Sequence, residues 1–128
     1  MIVGIGNDMI EIERILKAVS KPKFLTRYFT KAELNLFRDR KMNPSTIAAN
    51  FSAKEAVTKV FGTGFREFGL KEVEILRNDL GRPYIKLYGQ AKEIEKQMGI
   101  DKWHITVSHT KSMVSVVVLG EKYDCSKE

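Results

Sequence analysis

The chain has 128 residues, of which 43% are hydrophobic and 30% charged, a length and composition typical of one folded domain. No apolar run approaches the roughly 20 residues of a membrane-spanning helix, and the first residues lack the basic and apolar regions of a signal peptide. Cys125 is the only cysteine, which excludes an intrachain disulfide and a cysteine metal cluster. We therefore expect a cytoplasmic protein.

The net charge of +6 is concentrated in one stretch. Between Arg14 and Lys41, nine basic residues outnumber two acidic ones, so this stretch carries +7 and the rest of the chain −1. A localised excess indicates a surface that meets an anionic partner, which could be nucleic acid, membrane or an acidic protein. A solvated helix face would produce the same pattern. No nucleic-acid-binding motif accompanies the charge.

The first part of the chain predicts one strand and two helices. Ile2 to Ile5 is short and β-branched, as in a buried strand. Apolar residues then recur at helical spacing as far as Val19, before Ser20-Lys21-Pro22 breaks the pattern. Thr30 and Glu33 match a capping box, which predicts the start of the second helix.

A third helix, from about Ser45 to Phe61, combines an apolar and a polar side. At 100° per residue, one stripe about 100° wide is formed by Ala49, Ala53, Ala56, Val57 and Val60. The opposite side carries Ser52, Glu55 and Lys59. We expect the small residues to pack closely and the polar ones to stay out of the packing face.

The second half of the chain predicts mostly strands. Alternating apolar residues and the turn residues between them indicate a hairpin of two strands, at 73–77 and 84–87. A short helix at 90–98 follows, and then two further strands at 103–108 and 113–119. The whole pattern predicts one α+β domain over residues 1–122, with helices packed on a mainly antiparallel sheet. A polar tail follows at 123–128 and is expected to fray.

Two carboxylates and one lysine could carry chemistry, and each has a structural alternative. Asp8 follows the first predicted strand, where capping the next helix is the more common role than metal binding or catalysis. Glu55 and Lys59 are spaced i, i+4, which describes either a surface ion pair or a pair that handles phosphate. Gly4 and Gly6 lack the third glycine of a dinucleotide fingerprint.

A polar turn joins the last two predicted strands. Ser108, His109 and Thr110 form either an ordinary turn or one that holds a phosphate, with a histidine able to act as a base. His104, inside a strand, is more typical of a structural residue. The chain has no Gly-x-Ser-x-Gly elbow and no His-x-x-x-His pair, which disfavours a serine hydrolase and a zinc site.

Taken together and in this order, these motifs resemble one family, the 4'-phosphopantetheinyl transferases of the small bacterial acyl-carrier-protein synthase type. The resemblance covers residues 1–119 and rests on four blocks: Gly4-Ile5-Gly6-Asn7-Asp8-Met9-Ile10-Glu11-Ile12, Phe51-Ser52-Ala53-Lys54-Glu55-Ala56 continuing through Lys59 and Gly62-Thr63-Gly64, Gly81-Arg82-Pro83, and Ser108-His109-Thr110. The central block with Lys59 is the most specific.

The resemblance implies an enzyme that moves 4'-phosphopantetheine from coenzyme A to a serine of apo-acyl carrier protein, with magnesium, in fatty acid biosynthesis. It also implies a trimer with active sites between neighbouring subunits. Asp8 and Glu55 would bind magnesium, Glu55 would help to deprotonate the serine, and Lys59 would stabilise the departing 3',5'-ADP. The residues implied to contact the cofactor are Lys59, Gly62, Pro83, Ser108, His109 and Thr110.

Carrier proteins are strongly acidic, and the family docks them on the first helix and the segment after it. The resemblance assigns this contact to Arg14, Lys21 and Arg27, with Lys17 and Lys23 in support. Docking of this kind is expected to weaken as salt rises. The competing interpretations are a non-catalytic module that binds carrier protein and a basic nucleic-acid-binding domain.

Two positions depart from the family pattern. Asn50 stands where the family often has an arginine. If that arginine contacts the extra phosphate of the nucleotide in other members of the family, another basic residue must make this contact here. Asn7 stands where threonine or a similar small residue is frequent, and we expect little consequence.

Overall fold

A computed structural model describes residues 1–62 and 68–124 of the chain. Thr63, Gly64 and the tail residues 125–128 lie outside the described residues. The described part contains five strands: β1 (Ile2–Glu11), β2 (Val73–Arg77), β3 (Pro83–Leu87), β4 (Lys102–His109) and β5 (Met113–Glu121). It also contains α1 (Ile12–Val19), α2 (Phe24–Tyr28), α3 (Lys31–Asp39), α4 (Pro44–Phe61) and α5 (Gly89–Met98), with a short 3-10 helix at Leu70–Glu72. This mixture confirms the predicted α+β class.

The strands form two antiparallel sheets. β5 lies between β1 and β4 in a three-stranded sheet, while β2 and β3 form a separate two-stranded hairpin. The predicted hairpin is thereby confirmed, and its turn is closed by the Asn78 side chain, which accepts hydrogen bonds from the backbone of Leu80 and Arg82. Because β1 pairs with β5, the two ends of the chain meet in one sheet.

The three-stranded sheet has one covered face and one open face. Its covered face carries Ile10, Val114, Val116 and Val118, all buried. The opposite face, here called the outer face, is formed by Ile5, Asn7, Met9, Ser115, Val117 and Leu119, which lie opposite one another in pairs across β1 and β5. Ile5 is 64% exposed and Met9 60% exposed. An open face with this many apolar side chains is unusual for an isolated domain.

β1 continues past its predicted end at Ile5 as far as Glu11, because its pairing with β5 continues. Asp8 therefore lies inside a strand, opposite Val116. The residue before α1 is Glu11, and it makes no side-chain capping bond. The interpretation of Asp8 as a helix cap is wrong, since helix α1 starts four residues later.

Helix α4 has the predicted extent within one residue. Asn43 caps its start by accepting a hydrogen bond from the backbone of Ser45 at 2.9 Å, and Gly62 follows its last residue with a φ of 87°. The predicted apolar stripe is buried against the three-stranded sheet: Ala49, Ala53, Ala56, Val57 and Val60. The small side chains let helix and sheet approach closely.

The expected polar side of α4 is covered in part. Ser52 and Lys54 are fully buried, because β1 lies against the first, and the segment at Leu70–Val73 and helix α3 surround the second. A helix buried on nearly all sides is the central element of a layered fold. Only Glu55 and Lys59 reach the surface as expected, the first half-buried and the second exposed.

Helix α3 begins at the predicted capping box. The hydroxyl of Thr30 accepts from the backbone of Glu33 at 3.2 Å, and the Glu33 carboxylate accepts from the backbone of Thr30 at 3.1 Å. The short helix α2 was not predicted from the sequence. No helix in the described ranges combines the length and apolar character needed to cross a bilayer.

Candidate active site

The site begins where β1 meets helix α4 at Gly6. A methyl group on Gly6 would lie 2.1 Å from the carbonyl oxygen of Ala56. This distance is a steric clash that only a movement of strand or helix would relieve. Glycine is therefore required by the close approach of two backbones. This approach brings the next inward-facing residue of the strand, Asp8, beside the polar residues of α4.

Asp8 is held by two partners from α4. The Ser52 hydroxyl donates to its Oδ2 at 2.6 Å, and the Lys59 ammonium lies 3.3 Å from its Oδ1. Lys59 also donates to the backbone carbonyl of Asn7 at 2.7 Å. The Lys59 ammonium therefore contacts β1, and the interpretation of Lys59 as the partner of a simple surface ion pair with Glu55 does not account for its position. The carboxylate of Asp8 is fixed in orientation with its side chain 18% exposed.

Glu55 lies one turn from Ser52 and Lys59 on the same side of α4. Burial raises the pKa of its carboxyl, and the nearby Asp8 carboxylate raises it further, while Lys59 lowers it. Two carboxylates that repel one another at a half-open surface form a hard oxygen donor set. No cluster of three or more acidic, histidine or cysteine side chains with metal-binding geometry occurs within the described ranges. Two carboxylates nevertheless suit Mg²⁺, which keeps several waters and is completed by substrate phosphates.

A buried charge network lies behind this surface. The Lys54 ammonium contacts Glu33 Oε1 at 2.7 Å and the backbone carbonyl of Leu70 at 2.9 Å, and it also donates to the carbonyl of Val73. Burial lowers the pKa of Lys54 and raises that of Glu33, and the attraction between the two opposes both shifts. Lys54 therefore connects α4 to α3 and to the start of β2.

Asn50 belongs to the same buried network. Its side-chain amide donates to Glu33 Oε2 at 3.0 Å and to the backbone carbonyl of Ile75 at 2.9 Å. The Asn50 side chain is fully buried, so this position faces the network and supplies no charge to a ligand. The capping-box motif predicted that Glu33 lies in the first turn of a helix. It did not indicate that the Glu33 carboxylate also accepts hydrogen bonds from Lys54 and Asn50.

The turn residues Ser108, His109 and Thr110 divide between the two sides of the sheet. In register, His109 lies opposite Val114 on the covered face, whereas Ser108 lies opposite Ser115 on the outer face. The hydroxyl oxygen of Thr110 accepts from the backbone of Ser112 at 3.2 Å and of Met113 at 3.1 Å, which shapes the turn. Within one subunit these three side chains therefore do not form a single pocket.

His109 and Pro83 line a groove that sequence reasoning did not find. It has a volume of about 620 Å³ and lies between the start of α4, the β2–β3 turn and strand β4. Its charged lining comes from Arg40, Arg77 and Arg82, and we call it the arginine groove. Arg40 is remote in the sequence from the other two arginines, and Arg82 belongs to a motif that was interpreted only as a turn. The folded structure is therefore needed to show that the three lie together. Gly62 lies elsewhere, at the end of α4.

Two of the three predicted docking residues line an apolar pocket at α2 and the segment before it. Arg14, Lys21 and Arg27 are exposed, and the last two line a cavity of about 690 Å³. Its apolar wall is formed by the rings of Phe24, Tyr28 and Phe51, which contact one another at centroid distances of 5.2 to 6.0 Å. A basic rim around an aromatic pocket suits an acidic protein with an apolar anchor.

Comparison with known proteins places this arrangement in a family. The family model for the 4'-phosphopantetheinyl transferase superfamily matches residues 4–112. The holo-[acyl-carrier-protein] synthase of Lachnoclostridium phytofermentans is 45% identical over 94% of this chain and 97% of its own length.

Two solved structures share the fold. The holo-[acyl-carrier-protein] synthase of Neisseria meningitidis superposes with a TM-score of 0.83 at 31% identity, covering 95% of this chain and 100% of that one. The Bacillus anthracis enzyme, in complex with CoA (3',5'-ADP), gives 0.79 at 31% identity, covering 96% and 99%. The resemblance inferred from the sequence is confirmed, and the chain belongs to the 4'-phosphopantetheinyl transferase superfamily as an enzyme of the holo-[acyl-carrier-protein] synthase type.

Proposed function

We propose that the protein transfers 4'-phosphopantetheine from coenzyme A to a serine of apo-acyl carrier protein, in a magnesium-dependent reaction of fatty acid biosynthesis in the cytoplasm. The serine oxygen forms a bond to the phosphorus that carries pantetheine, and the bond from that phosphorus to the bridging oxygen of the pyrophosphate breaks. The serine proton goes to a base, and 3',5'-ADP leaves. The observation that carries this proposal is the juxtaposition of Asp8, Glu55 and Lys59 at the surface.

Asp8 and Glu55 would hold the magnesium ion. Their carboxylates are hard oxygen donors, and Ser52 fixes the orientation of one of them by its 2.6 Å hydrogen bond. When bound, Mg²⁺ neutralises charge on the phosphates of the substrate. The residues present therefore fit the ion that the resemblance implies.

Glu55 is the candidate base for the serine proton, directly or through a water. Burial and the neighbouring Asp8 raise its carboxyl pKa, which makes Glu55 a stronger base than an ordinary surface glutamate. Lys59 is the candidate group for the departing nucleotide. Its side chain is 55% exposed and anchored on β1, so its charge is available to a phosphate while its position is defined.

We further propose that the active enzyme is a trimer with sites between subunits. The support is the outer face of the sheet, where apolar side chains of β1 and β5 are exposed over several residues. A second support is the division of the turn residues, since Ser108 points to that face and His109 to the arginine groove. A neighbouring subunit on the outer face would bring Ser108 into an interface.

Carrier protein would dock on Arg14, Lys21 and Arg27. The three side chains are exposed, and the aromatic pocket beside the last two offers a place for an apolar side chain of the partner. The charge would orient an acidic partner and the pocket would hold it.

The experiment that tests the activity is intact-mass measurement of carrier protein after incubation with the enzyme, coenzyme A and magnesium. We expect a phosphopantetheine adduct that disappears when a chelator is added. Glu55→Gln is expected to lower the rate of transfer by about 100-fold or more, because it removes a base and a metal ligand, while carrier binding survives. The control is Glu93→Gln on the exposed side of α5, which should transfer at the normal rate.

Transfer at the normal rate by Glu55→Gln would overturn the role of this carboxylate. No adduct from the unaltered protein, together with tight carrier binding, would instead indicate a non-catalytic carrier-binding module.

A further inference from the structure

A second basic groove lies beside helix α2. It has a volume of about 350 Å³ and is bounded by α2, by one face of α3 and by the short 3-10 helix at Leu70–Glu72. We call it the α3 groove. In the part of the chain that the structure describes, all its charged lining residues are basic: Lys31, Arg38 and Lys71. Three positive charges are thus concentrated around one small concave surface.

Helix periodicity explains how two of these cations come together. Lys31, Leu34, Asn35 and Arg38 are spaced i, i+3, i+4 and i+7, so they share one face of α3. The capping box fixes the start of this helix at Lys31. Lys71 comes from a remote part of the chain, so the folded structure is needed to show that a third cation faces the same groove.

The three cations have no carboxylate partner among residues 1–62 and 68–124. No ion pair within 4 Å in these ranges involves any of them. The Arg38 guanidinium donates to the neutral side chain of Asn35 at 3.1 Å. The carboxylates of the adjoining segments accept hydrogen bonds from other groups, namely those of Glu33, Glu72 and Glu74. Like charges around one cavity repel, and an anionic ligand would remove this repulsion.

The α3 groove is continuous with the surface proposed for carrier docking. Thr26 lines both the groove and the aromatic pocket. Phe29 lines the groove, and its ring centroid lies 6.1 Å from that of Phe24 and 6.5 Å from that of Phe51, two rings of the pocket wall. Because α2 is only five residues long, a protein bound at Arg27 can extend over the groove as well.

We propose that the α3 groove is a second contact for acyl carrier protein, where Arg38 and Lys71 bind acidic side chains of the carrier. The inference rests on the proposed function and extends its docking surface beyond α1 and α2. The support is charge complementarity, since carrier proteins are strongly acidic and the groove presents only cations. Two separate contacts would also fix the rotation of the carrier on the enzyme, and so the direction from which its serine approaches.

Nucleic acid is the other anionic partner that the basic stretch of the sequence leaves open, and the groove does not favour it. Proteins that bind single strands stack the bases on exposed aromatic rings. The aromatic residue in the described lining is Phe29, which is fully buried. The half-buried Leu34 offers instead the apolar contact that is typical of a protein interface.

The test is the KM of apo-carrier protein in the transfer assay, at saturating coenzyme A and magnesium and at low salt. Arg38→Glu and Lys71→Glu are each expected to raise this KM about 5-fold, because a like charge then faces the acidic carrier. The kcat value and the KM of coenzyme A should stay unchanged. The increase should shrink as salt is raised, since the contact is exposed and electrostatic. Arg38→Lys keeps the charge and should keep a carrier KM close to that of the unaltered protein.

The control is Lys96→Glu, which makes the same change in net charge at an exposed position of α5, outside both basic surfaces. A carrier KM in Arg38→Glu and Lys71→Glu no higher than in Lys96→Glu would overturn the proposal, as would an increase that high salt does not reduce. Weaker binding of DNA by both variants, with an unchanged carrier KM, would assign the groove to nucleic acid and overturn it too. Calorimetric titration of carrier protein into each variant measures the same contact without turnover, so a failure of the proposed transfer activity would be seen separately.

Discussion

Gly6 shows how one residue without a side chain positions the site. It lies in β1 directly against the carbonyl of Ala56 in helix α4. The contact allows Asp8, two residues later on the same face of the strand, to reach Ser52 and Lys59 on the helix. The contacts of Asp8 therefore depend on the close approach of the backbones of β1 and α4, and this approach requires a residue without a Cβ at Gly6.

We expect Gly6→Ala to destabilise the protein by about 3 kcal/mol, the upper part of the range for overpacked sites, because strand and helix must separate. The same separation should weaken the contacts of Asp8 and lower the rate of transfer. Gly69→Ala is the control, since a methyl group there meets no atom of residues 1–62 and 68–124 within 4 Å. Thermal unfolding and the adduct assay measure both effects, and a Gly6→Ala variant as stable and active as Gly69→Ala would contradict this account.

Helix α4 marks how far the sequence predicts the fold and the site. Its bounds, its apolar stripe and the exposure of Lys59 follow from local signals: an N-cap, helical periodicity and a terminal glycine. The burial of Ser52 and Lys54 does not follow, because it is decided by β1 and by the β2 segment, which are remote in sequence. The same holds for Asp8, whose apparent capping position lies inside a strand that is extended by pairing with β5.

Lys54 is the residue of α4 whose removal should be most costly to the fold. We expect Lys54→Met to lower the free energy of unfolding by about 3–5 kcal/mol at neutral pH, because Glu33 is left buried without its partner. Without Lys54, the pKa of Glu33 should rise further above its ordinary value of 4.5, since the attraction that lowered it is gone. The folded state then holds a proton that the unfolded state loses, so stability falls as pH rises through this range.

Denaturant unfolding of Lys54→Met between pH 5 and 8 measures this effect, and the variant should be closest to the unaltered protein at pH 5. The double variant Glu33→Gln with Lys54→Met serves as the control. Glutamine does not ionise, so the additional pH dependence should vanish. A loss of stability in Lys54→Met that is the same at every pH would show that Glu33 is not the group left uncompensated.

Besides the arginine groove and the α3 groove, the described part of the molecule presents three surfaces with different chemistry. One carries the basic rim and aromatic pocket at α1 and α2, one carries the carboxylates of Asp8 and Glu55, and the third is the apolar outer face of the sheet. The charge run of the sequence predicts the basic rim of the first surface, though not its aromatic pocket, and the motifs predict the second. The outer face was not predicted, because the sequence of β5 does not alternate between apolar and polar residues. Its valines point to both faces of the sheet.

The outer face gives the last prediction, which concerns assembly. Val117 lies at the centre of this face, between Asn7 and Thr106 of the adjacent strands. In the proposed trimer, Val117→Lys would place a charge in each interface, and we expect three copies to dissociate towards one. The lysine would point to solvent in the separated subunit, so the fold should persist. Light scattering after size exclusion measures the mass, and Leu16→Lys, exposed on α1, is the control that should remain trimeric. If sites form between subunits, the dissociated variant should also lose transfer activity. An unaltered protein that is monomeric while fully active, or a Val117→Lys variant that stays trimeric, would exclude assembly through this face.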